Sequence, residues 1–337
     1  MEKVSMKDVA KHAGVSIATV SHVINKSRKV SKENERRVLQ SIRELNYHPN
    51  SVARSFKTGR SNMIAFVVPD IADLYSSTLI ENIESEISRE GYQLLLVNSG
   101  ENPEKELAQL ELLENSMVDG IILASTQHDP SSLEKIVSGR IPYLLIDRRL
   151  DPMPYDSATI NTYDAVREAV EHLVAAGHRK IGCITGMPHL SSSKERVNAY
   201  RTVLEQHGLF SEDLIQNAEV RRLSTSTDPV SLIRKGASAL VMMNSSLTID
   251  TFFRLAKAGL VPGRDVALTG FKEGNATLYE MEFINRIEQP VAQLGRVAGR
   301  QILNRLKNPD LPTKDIILEA VFHPLEDPVP IPVMPGR

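Results

Sequence analysis

From Met63 to Leu306 the chain alternates short runs of continuous apolar residues with longer stretches of helical periodicity, and it does so in two successive rounds. A run too short for a helix and apolar at nearly every position reads as a strand buried on both faces. Met63 to Val68 is the first such strand, ending at Pro69-Asp70; Tyr92 to Val97, Gly120 to Leu123 and Tyr143 to Ile146 follow, the last ending in Asp147. Helices read over Leu79 to Glu90, Pro103 to Leu113 and near Ser132 to Val137. The second round places strands at Ile181 to Thr185, Ala239 to Met242, Val266 to Leu268 and Ile287. Its helices span Tyr163 to Ala175, Arg196 to Gln206, Leu247 to Ala258 and Val291 to Leu306. Such alternation is satisfied by a parallel sheet covered on both sides. Two rounds predict two α/β lobes with a cleft between them, and ligands in such sheets sit beyond the carboxyl ends of the strands.

The first sixty residues have a different pattern. Ser5 can cap a helix, with Asp8 three residues on to complete a capping box. Val9, Ala10 and Ala13 give that helix an apolar face, and Gly14 ends it. Ser16 then caps a second helix, Ile17 to about Ile24, with Val20 and Val23 inward. A helix, a glycine turn and a second helix within twenty residues is the helix-turn-helix signature. Ser31 caps a third helix reaching Leu45, whose Val38, Leu39, Ile42 and Leu45 close a small core. The second helix is the one that should enter a DNA major groove. Ile17 and Ala18 offer apolar contacts for thymine methyls, while Ser16, Thr19, Ser21, His22 and Asn25 can bond base edges or phosphates. Lys7, Lys26, Arg28, Lys29 and Lys32 suit phosphates, which hold register without reading sequence.

Charge supports this. Residues 1–60 hold thirteen Lys/Arg against five Asp/Glu, a surplus of eight, so the remaining chain carries −10 to leave the net −2 of the whole. A basic head on an acidic body suits a nucleic-acid partner at one end. Residues 48–60 contain Pro49, a capping Asn50 and a two-turn helical stretch from Ser51 to Lys57 with Val52 and Phe56 on one face. A helix this short gains order only against a surface. It reads either as a plain linker or as a hinge that folds on DNA and wedges an apolar side chain into the minor groove.

Asp8-Val9-Ala10-Lys11-His12-Ala13-Gly14-Val15-Ser16, followed by Ala18-Thr19-Val20-Ser21, closely resembles the opening of the lactose-repressor (LacI/GalR) family. So do Asn25, Val30-Ser31, Tyr47-x-Pro49-Asn50 and Ala53-Arg54-Ser55. The resemblance implies a sequence-specific transcription regulator, most often a repressor. It implies an all-helical helix-turn-helix head (1–47), a hinge helix and linker (48–60) and a two-lobed core like a periplasmic sugar-binding protein (61–337). In that family two hinge helices pair in the minor groove at the centre of a palindromic operator, which adds Asn50, Ala53, Phe56 and Lys57 to the expected DNA contacts. The family's lever leucine is Phe56 here, and its common arginine is His22; both imply a shifted operator preference. Carried over, the N-terminal lobe takes about 61–160 and 291–319, and the C-terminal lobe about 161–290 and the tail from 320. The Pro-rich tail from Pro324 lacks a leucine heptad, so a homodimer is expected, its two-fold axis matching a palindromic double-stranded DNA site.

Candidate cleft residues come from strand ends: Asp70, Tyr75, Asp147, Arg148, Ser191 to Ser193, Arg196, Asn244, Ser245, Lys272 and Glu273. By resemblance Arg196 grips ligand hydroxyls or charges, and Tyr75, Asp147, Ser193, Asn244 and Lys272 join it as the effector-binding set. Two departures bear on the ligand. The family's Asn-Asp is Asn244-Ser245 here, and its Gly-Phe-Asp-Asp is Gly270-Phe271-Lys272-Glu273. Arg196 with Lys272 suits an anion, so the expected effector is a small acidic molecule such as a sugar acid or sugar phosphate. The alternative is a degenerate cleft with a partner protein supplying the signal.

The sequence contains no Gly-x-Ser-x-Gly elbow, no His-Glu-x-x-His and no phosphate loop ending in Lys-Ser/Thr, so no enzyme, cofactor or metal is expected. His178, in a turn before a strand, reads as structural. The one cysteine, Cys183, lies in a strand and forms neither a disulfide nor a metal cluster. With no signal-like segment and no run long enough to span a bilayer, the expected location is the cytoplasm, with no membrane anchor.

Overall fold

The computed structural model describes residues 4–25, 28–48, 59–115, 118–137, 139–150, 152, 154–218, 220–221, 224–273 and 284–325. The chain divides into two compact units, Met1–Ser61 and Asn62–Arg337.

The first unit is built from α1 (Met6–Ala13), α2 (Ile17–Asn25) and α3 (Lys32–Glu44). The capping box forms: the Ser5 hydroxyl accepts from the Asp8 amide and the Asp8 carboxylate accepts from the Ser5 amide. Gly14 closes α1 at φ 63°, the left-handed region, and a Cβ there would run into the Arg37 guanidinium of α3. The exposed Arg37 side chain can give way, so it is the positive φ that calls for glycine. Val9, Ala10, Ala13, Val20, Val38 and Tyr47 form the core, with Val23, Ile42 and Leu45 packed against it. Leu39, expected inside, is 42% exposed. At 100° per residue Val38, Ile42 and Leu45 share one face, and Leu39 falls on its flank. The hinge positions Asn50, Ala53, Phe56 and Lys57 lie outside the described residues.

The second unit holds two six-stranded sheets. The first takes β1 (Met63–Val68), β2 (Gln93–Asn98), β3 (Gly120–Leu123), β4 (Tyr143–Ile146), β5 (Asp156–Asn161) and β13 (Asp315–Glu319), in the spatial order β13-β5-β4-β3-β1-β2. The second takes β6 (Ile181–Thr185), β7 (Ile215–Asn217), β10 (Ala239–Met242), β11 (Ala267–Glu273), β12 (Asn285–Gln289) and β14 (Val321–His323), in the order β14-β12-β11-β10-β6-β7. Val220–Arg221 and Ser224–Thr225 make a small separate ribbon, β8–β9. Within the two sheets only β12–β14 is antiparallel. Each sheet repeats the doubly wound order 2-1-3-4-5, which opens a crevice at the carboxyl ends where the winding reverses.

The helices are α4 (Leu74–Ser88), α5 (Pro103–Glu114), α6 (Pro130–Glu134), α7 (Tyr163–Ala175), α8 (Ser191–Gln206), α9 (Pro229–Arg234), α10 (Ser245–Lys257) and α11 (Val291–Lys307). Two begin earlier than their periodicity suggests. Asp73 caps α4, accepting from the Ser76 amide, and pulls its start from Leu79 back to Leu74. The serines 191–193 form the first turn of α8, ahead of Arg196.

The chain passes between the two sheets three times: from β5 into α7, from β12 into α11, and from β13 into β14. The return helix α11 packs on α4 through Gly295 and Gly299, where an added Cβ would stand 2.8 Å from the Cβ atoms of Asn82 and Glu86. Arg296 donates to Asn82 and Arg300 to Glu86 along the same seam. Cys183 and His178 are buried, the latter with Nδ1 2.8 Å from the Ser238 hydroxyl.

Candidate functional site

Two places carry candidate functional side chains, one in each unit. In the first unit α2 turns its N-terminal end outward. Ile17 is 49% exposed, and Ser16 and Ala18 are exposed beside it. The Ser16 hydroxyl accepts from the Thr19 amide at 3.1 Å, so it serves as cap as well as surface group. Ser21 and His22 are half-buried; Asn25 is exposed and folds its amide back onto the Ser21 carbonyl at 2.9 Å. Among the described residues Lys7, Arg28, Lys29 and Lys32 are exposed without an ion-pair partner. An outward apolar tip on α2, in a unit that also exposes these cations, suits a groove-reading helix.

In the second unit a cavity of about 490 Å³ lies between the sheets. Its lining comes from the carboxyl ends of the strands: Asp70 follows β1, Asn98 closes β2 with Glu101 beyond it, and Asp147 and Arg148 follow β4. Asp73 and Tyr75 come from the start of α4. From the other lobe, Gly186 follows β6, Ser193 and Arg196 project from α8, Asn244 to Ser246 follow β10, and Gln289 closes β12. Gly186 keeps the floor open, since a Cβ there would approach the Ser193 hydroxyl to 3.3 Å.

The two walls differ in charge. On the N-terminal lobe stand four carboxylates, Asp70, Asp73, Glu101 and Asp147, with Lys105 and Arg148; on the other wall the only lining charge among the described residues is Arg196. Arg148 clamps Glu101 at 2.6 and 2.9 Å and passes 3.6 Å from Asp147. Burial alone would lower its basicity, but Glu101 and Asp147 outweigh that and leave it above the ordinary value. Its buried Nε has no hydrogen-bond partner. Asp147 adopts the left-handed region at φ 67° and accepts from the Tyr75 hydroxyl at 2.6 Å. Burial pushes the Asp73 carboxyl up, against hydrogen bonds from Ser246 and the Ser76 amide.

Arg196 is only 8% exposed. Its Nε donates to the Thr162 hydroxyl at 3.2 Å, Nη1 to the Met243 carbonyl at 2.6 Å and Nη2 to the Gln289 side-chain oxygen at 3.1 Å. The guanidinium carbon stands 4.4 Å over the Phe271 ring. Among the described residues no carboxylate pairs with it, so a buried positive charge lines the cavity with two of its five N–H groups uncommitted. The Ser193 hydroxyl and the Asn244 side-chain nitrogen add donors; the Asn244 oxygen is occupied, capping α10 through the Leu247 amide.

Of the expected effector set, Tyr75, Asp147, Ser193, Arg196 and Asn244 meet at this cavity, as do Asp70, Arg148 and Ser245. Lys272 does not. Side chains alternate along a strand, and Phe271 turns toward Arg196, so its neighbour is carried to the opposite face, in register with Glu288. Sequence reasoning missed Asp73, Glu101, Ser246 and Gln289. Asp73 and Gln289 had a signal, the first as a helix cap and the second as the residue before Pro290.

The lobes touch directly at the cavity rim. Ser246 donates to Asp73 at 2.9 Å, the Arg149 amide donates to the Ser191 hydroxyl at 2.9 Å, and the rings of His128 and His189 stack with centroids 3.7 Å apart. Among the described residues no group of three or more His, Cys, Asp or Glu is placed to hold a metal, and no helix is long and apolar enough to cross a membrane.

Residues 5–50 match the family model for bacterial regulatory proteins of the lacI family, and residues 61–316 match that for periplasmic binding proteins and the sugar-binding domain of the LacI family. The HTH-type transcriptional regulator DegA of Bacillus subtilis (strain 168) is 32% identical over 309 residues, covering 88% of this chain and 91% of DegA. The HTH-type transcriptional repressor PurR of Haemophilus influenzae (strain PittEE) is 30% identical over 318 residues, covering 91% of this chain and 92% of its own. A crystal structure of the lac repressor dimer bound to operator and the anti-inducer ONPF superposes with a TM-score of 0.82 at 22% identity, covering 95% of this chain and 98% of that one. An outward α2 on a three-helix head, two doubly wound sheets with a cavity at their carboxyl ends, and these matches along nearly the whole chain have one reading: the chain belongs to the LacI family, as a sequence-specific DNA-binding transcription regulator.

Proposed function

We propose that the protein is a cytoplasmic, non-enzymatic repressor that binds a palindromic operator as a homodimer and is switched by a small acidic effector held between its lobes. The observation carrying the effector class is the buried, carboxylate-free guanidinium of Arg196 facing an acidic wall. An acid or phosphate group suits Arg196, with the Ser193 hydroxyl and the Asn244 amide as further donors. Ligand hydroxyls suit Asp70 and Asp147 opposite. A sugar acid or sugar phosphate presents both. Lys272 does not line the cavity, and the open donors favour a small molecule over a cleft that has lost its ligand.

On DNA, Ile17 and Ala18 contact thymine methyls, Ser16, Thr19, Ser21, His22 and Asn25 supply polar contacts, and Lys7, Arg28, Lys29 and Lys32 hold phosphates. The hinge positions Asn50, Ala53, Phe56 and Lys57 complete the set in the minor groove, with Phe56 as the wedge. Repression is supported by the relatives named as repressors.

The test has two arms. Selection from a random duplex pool at fixed salt should enrich a palindrome of two half-sites; binding without enrichment overturns the operator reading. Calorimetry with hexoses, their aldonic acids and their phosphates should show the acidic forms at least about tenfold tighter, the factor that 1.4 kcal/mol supplies. Equal binding of a neutral sugar and its acidic counterpart overturns the effector class.

A further inference from the structure

Two of the three interlobe crossings meet at one side chain, Arg196, and the third is tied to the first. The first, from β5 into α7, turns at Thr162. The Thr162 amide and hydroxyl both donate to Glu195 at 2.7 Å, and the hydroxyl accepts from Arg196 Nε at 3.2 Å. Consecutive residues of α8 therefore hold the crossing from both sides. The second, from β12 into α11, leaves the C-terminal lobe at Gln289, whose side-chain oxygen accepts from Arg196 Nη2 at 3.1 Å. The third, from β13 into β14, is tied to the first: Asn161 donates to Glu319 at 2.8 Å, and the Ala320 amide donates to the Asn161 carbonyl at 3.0 Å.

Arg196 thus faces the cavity with its two uncommitted N–H groups and the crossings with two of the others. All its present partners are neutral: a hydroxyl, a carbonyl and an amide oxygen. In a buried site a guanidinium prefers a charged acceptor to a neutral one, because charge-assisted bonds are about twice as strong. An anion entering the cavity competes with Thr162 and Gln289 for the same group. We infer that Arg196 is the element through which occupancy of the cavity is transmitted to the interlobe crossings, with Thr162 and Gln289 as positioning residues that set the lobe angle. This rests on the proposed reading of the cavity as an effector site, and concerns how that site is coupled to DNA. The coupling is a difference in stability between two lobe arrangements, both of which must satisfy this guanidinium.

Thr162→Val and Gln289→Met each remove an acceptor of Arg196 with little change in shape; the first also removes the hydroxyl's donation to Glu195, and the second the side-chain NH2. They are made singly, together, and each in an Arg196→Met background. Full-length protein without ligand is read by anisotropy on the selected operator, by hydrogen exchange over 158–164 and 286–292, and by melting temperature. Each single substitution should change operator affinity about fivefold or more, the lower end of ordinary allosteric coupling. It should also raise exchange at the other crossing as well as its own. In the Arg196→Met background neither should raise exchange at the other crossing. Retention of the full effect in that background overturns the inference, as does exchange confined to the substituted crossing. Should Arg196→Met fail to fold, cross-talk between the two crossings in the single variants decides the question alone. Should the wild type select no DNA site, the regulator reading fails instead, and the exchange measurements still decide the wiring.

Discussion

Arg305 near the end of α11 reaches across to Asp156 at the start of β5, and removing it should be the most damaging single change in the N-terminal lobe. Asp156 is 1% exposed and takes two hydrogen bonds from Arg305, at 2.9 Å from Nε and 2.8 Å from Nη2. The Lys314 amide supplies a third at 2.8 Å. Arg305 also donates to the carbonyls of Pro309, Leu311 and Pro312, so one side chain fastens the turn that feeds β13. In Arg305→Met the three carbonyls lie on an exposed turn and regain water, but the carboxylate does not. Losing two hydrogen bonds to a charged group removes about 3–6 kcal/mol, and breaking one partner out of a buried pair typically costs about 3–5 kcal/mol. We take about 4 kcal/mol. For the unit Asn62–Arg337, at about 2.1 cal/mol/K of unfolding entropy per residue, this lowers the melting temperature by about 7 °C.

The pH dependence follows from the same contacts. Burial would raise the Asp156 carboxyl, but hydrogen bonds from Arg305, Gln301 and the Lys314 amide, with the Arg305 charge, outweigh it and hold it below its ordinary value. A depressed carboxyl contributes stability that is present above the unfolded pKa, about 3.9, and is lost as pH falls through the folded one. The deficit of Arg305→Met should therefore be largest near neutrality and shrink on acidification toward pH 3 to 4. Urea unfolding of wild type and variant across that range measures it. Asp156→Asn in the variant background should recover part of the loss, since the stranded charge is then gone. A neutral-pH deficit under 1 kcal/mol, or one that grows on acidification, would refute the argument.

Three other outcomes follow from single contacts. Gly299→Ala places a methyl 2.8 Å from the Glu86 Cβ and 3.3 Å from the Ile83 carbonyl; despite alanine's better helix propensity, overpacking should cost about 1–3 kcal/mol in chemical unfolding. The His128–His189 stack should make lobe closure pH-dependent: burial first, then His128, Arg148 and Lys194, lower the His189 pKa against an opposing pull from Glu101. That contribution to closure is present above the ordinary histidine value, about 6.5, and fades as pH falls; interlobe fluorescence transfer should show opening from pH 7.5 to 5.5 in wild type and a flatter profile in His189→Phe. On the selected operator Ile17→Ala should cost about 1–3 kcal/mol at one base position, while Lys29→Ala should weaken all sites alike and lower the salt slope by about one; the reverse pattern would exchange their assigned roles.

The elements legible in the sequence were those whose pattern is set by burial on both faces. β1, β3, β4, β6 and β10 are nearly all-apolar runs, and nothing else accommodates such runs at that length. β5 escaped notice because it reads Asp-Ser-Ala-Thr-Ile-Asn. Its Asp156 accepts from Arg305 and its Ser157 donates to Asp315, partners about 150 residues away that no local window contains. β13 and β14 are short edge strands with partly exposed faces and carry little apolar signal. The cavity divides the same way. Residues ending predictable strands, such as Asp70, Asp147 and Asn244, could be placed from the chain alone. Glu101 lies in the loop after β2, and its role depends on Arg148 arriving from β4. Lys272 does not line the cavity; it follows Phe271 in β11, and one position in a strand is enough to reverse a side chain's face.

The polarity of the cavity bears on what any occupant must do. Uncompensated carboxylate character belongs to one lobe and the uncompensated guanidinium to the other. A neutral polyol could be satisfied by the acidic wall alone and leave the lobe angle free. A molecule with an acid group and hydroxyls draws on both walls, so its full affinity exists only at the separation where both sets of contacts are made. Affinity and lobe angle then become one quantity, which is the condition for a ligand to shift a two-state equilibrium at all. Because Arg196 also bonds Thr162 and Gln289 at two of the crossings, under the proposed reading the group that binds the acid is among those that fix the separation it is measured against.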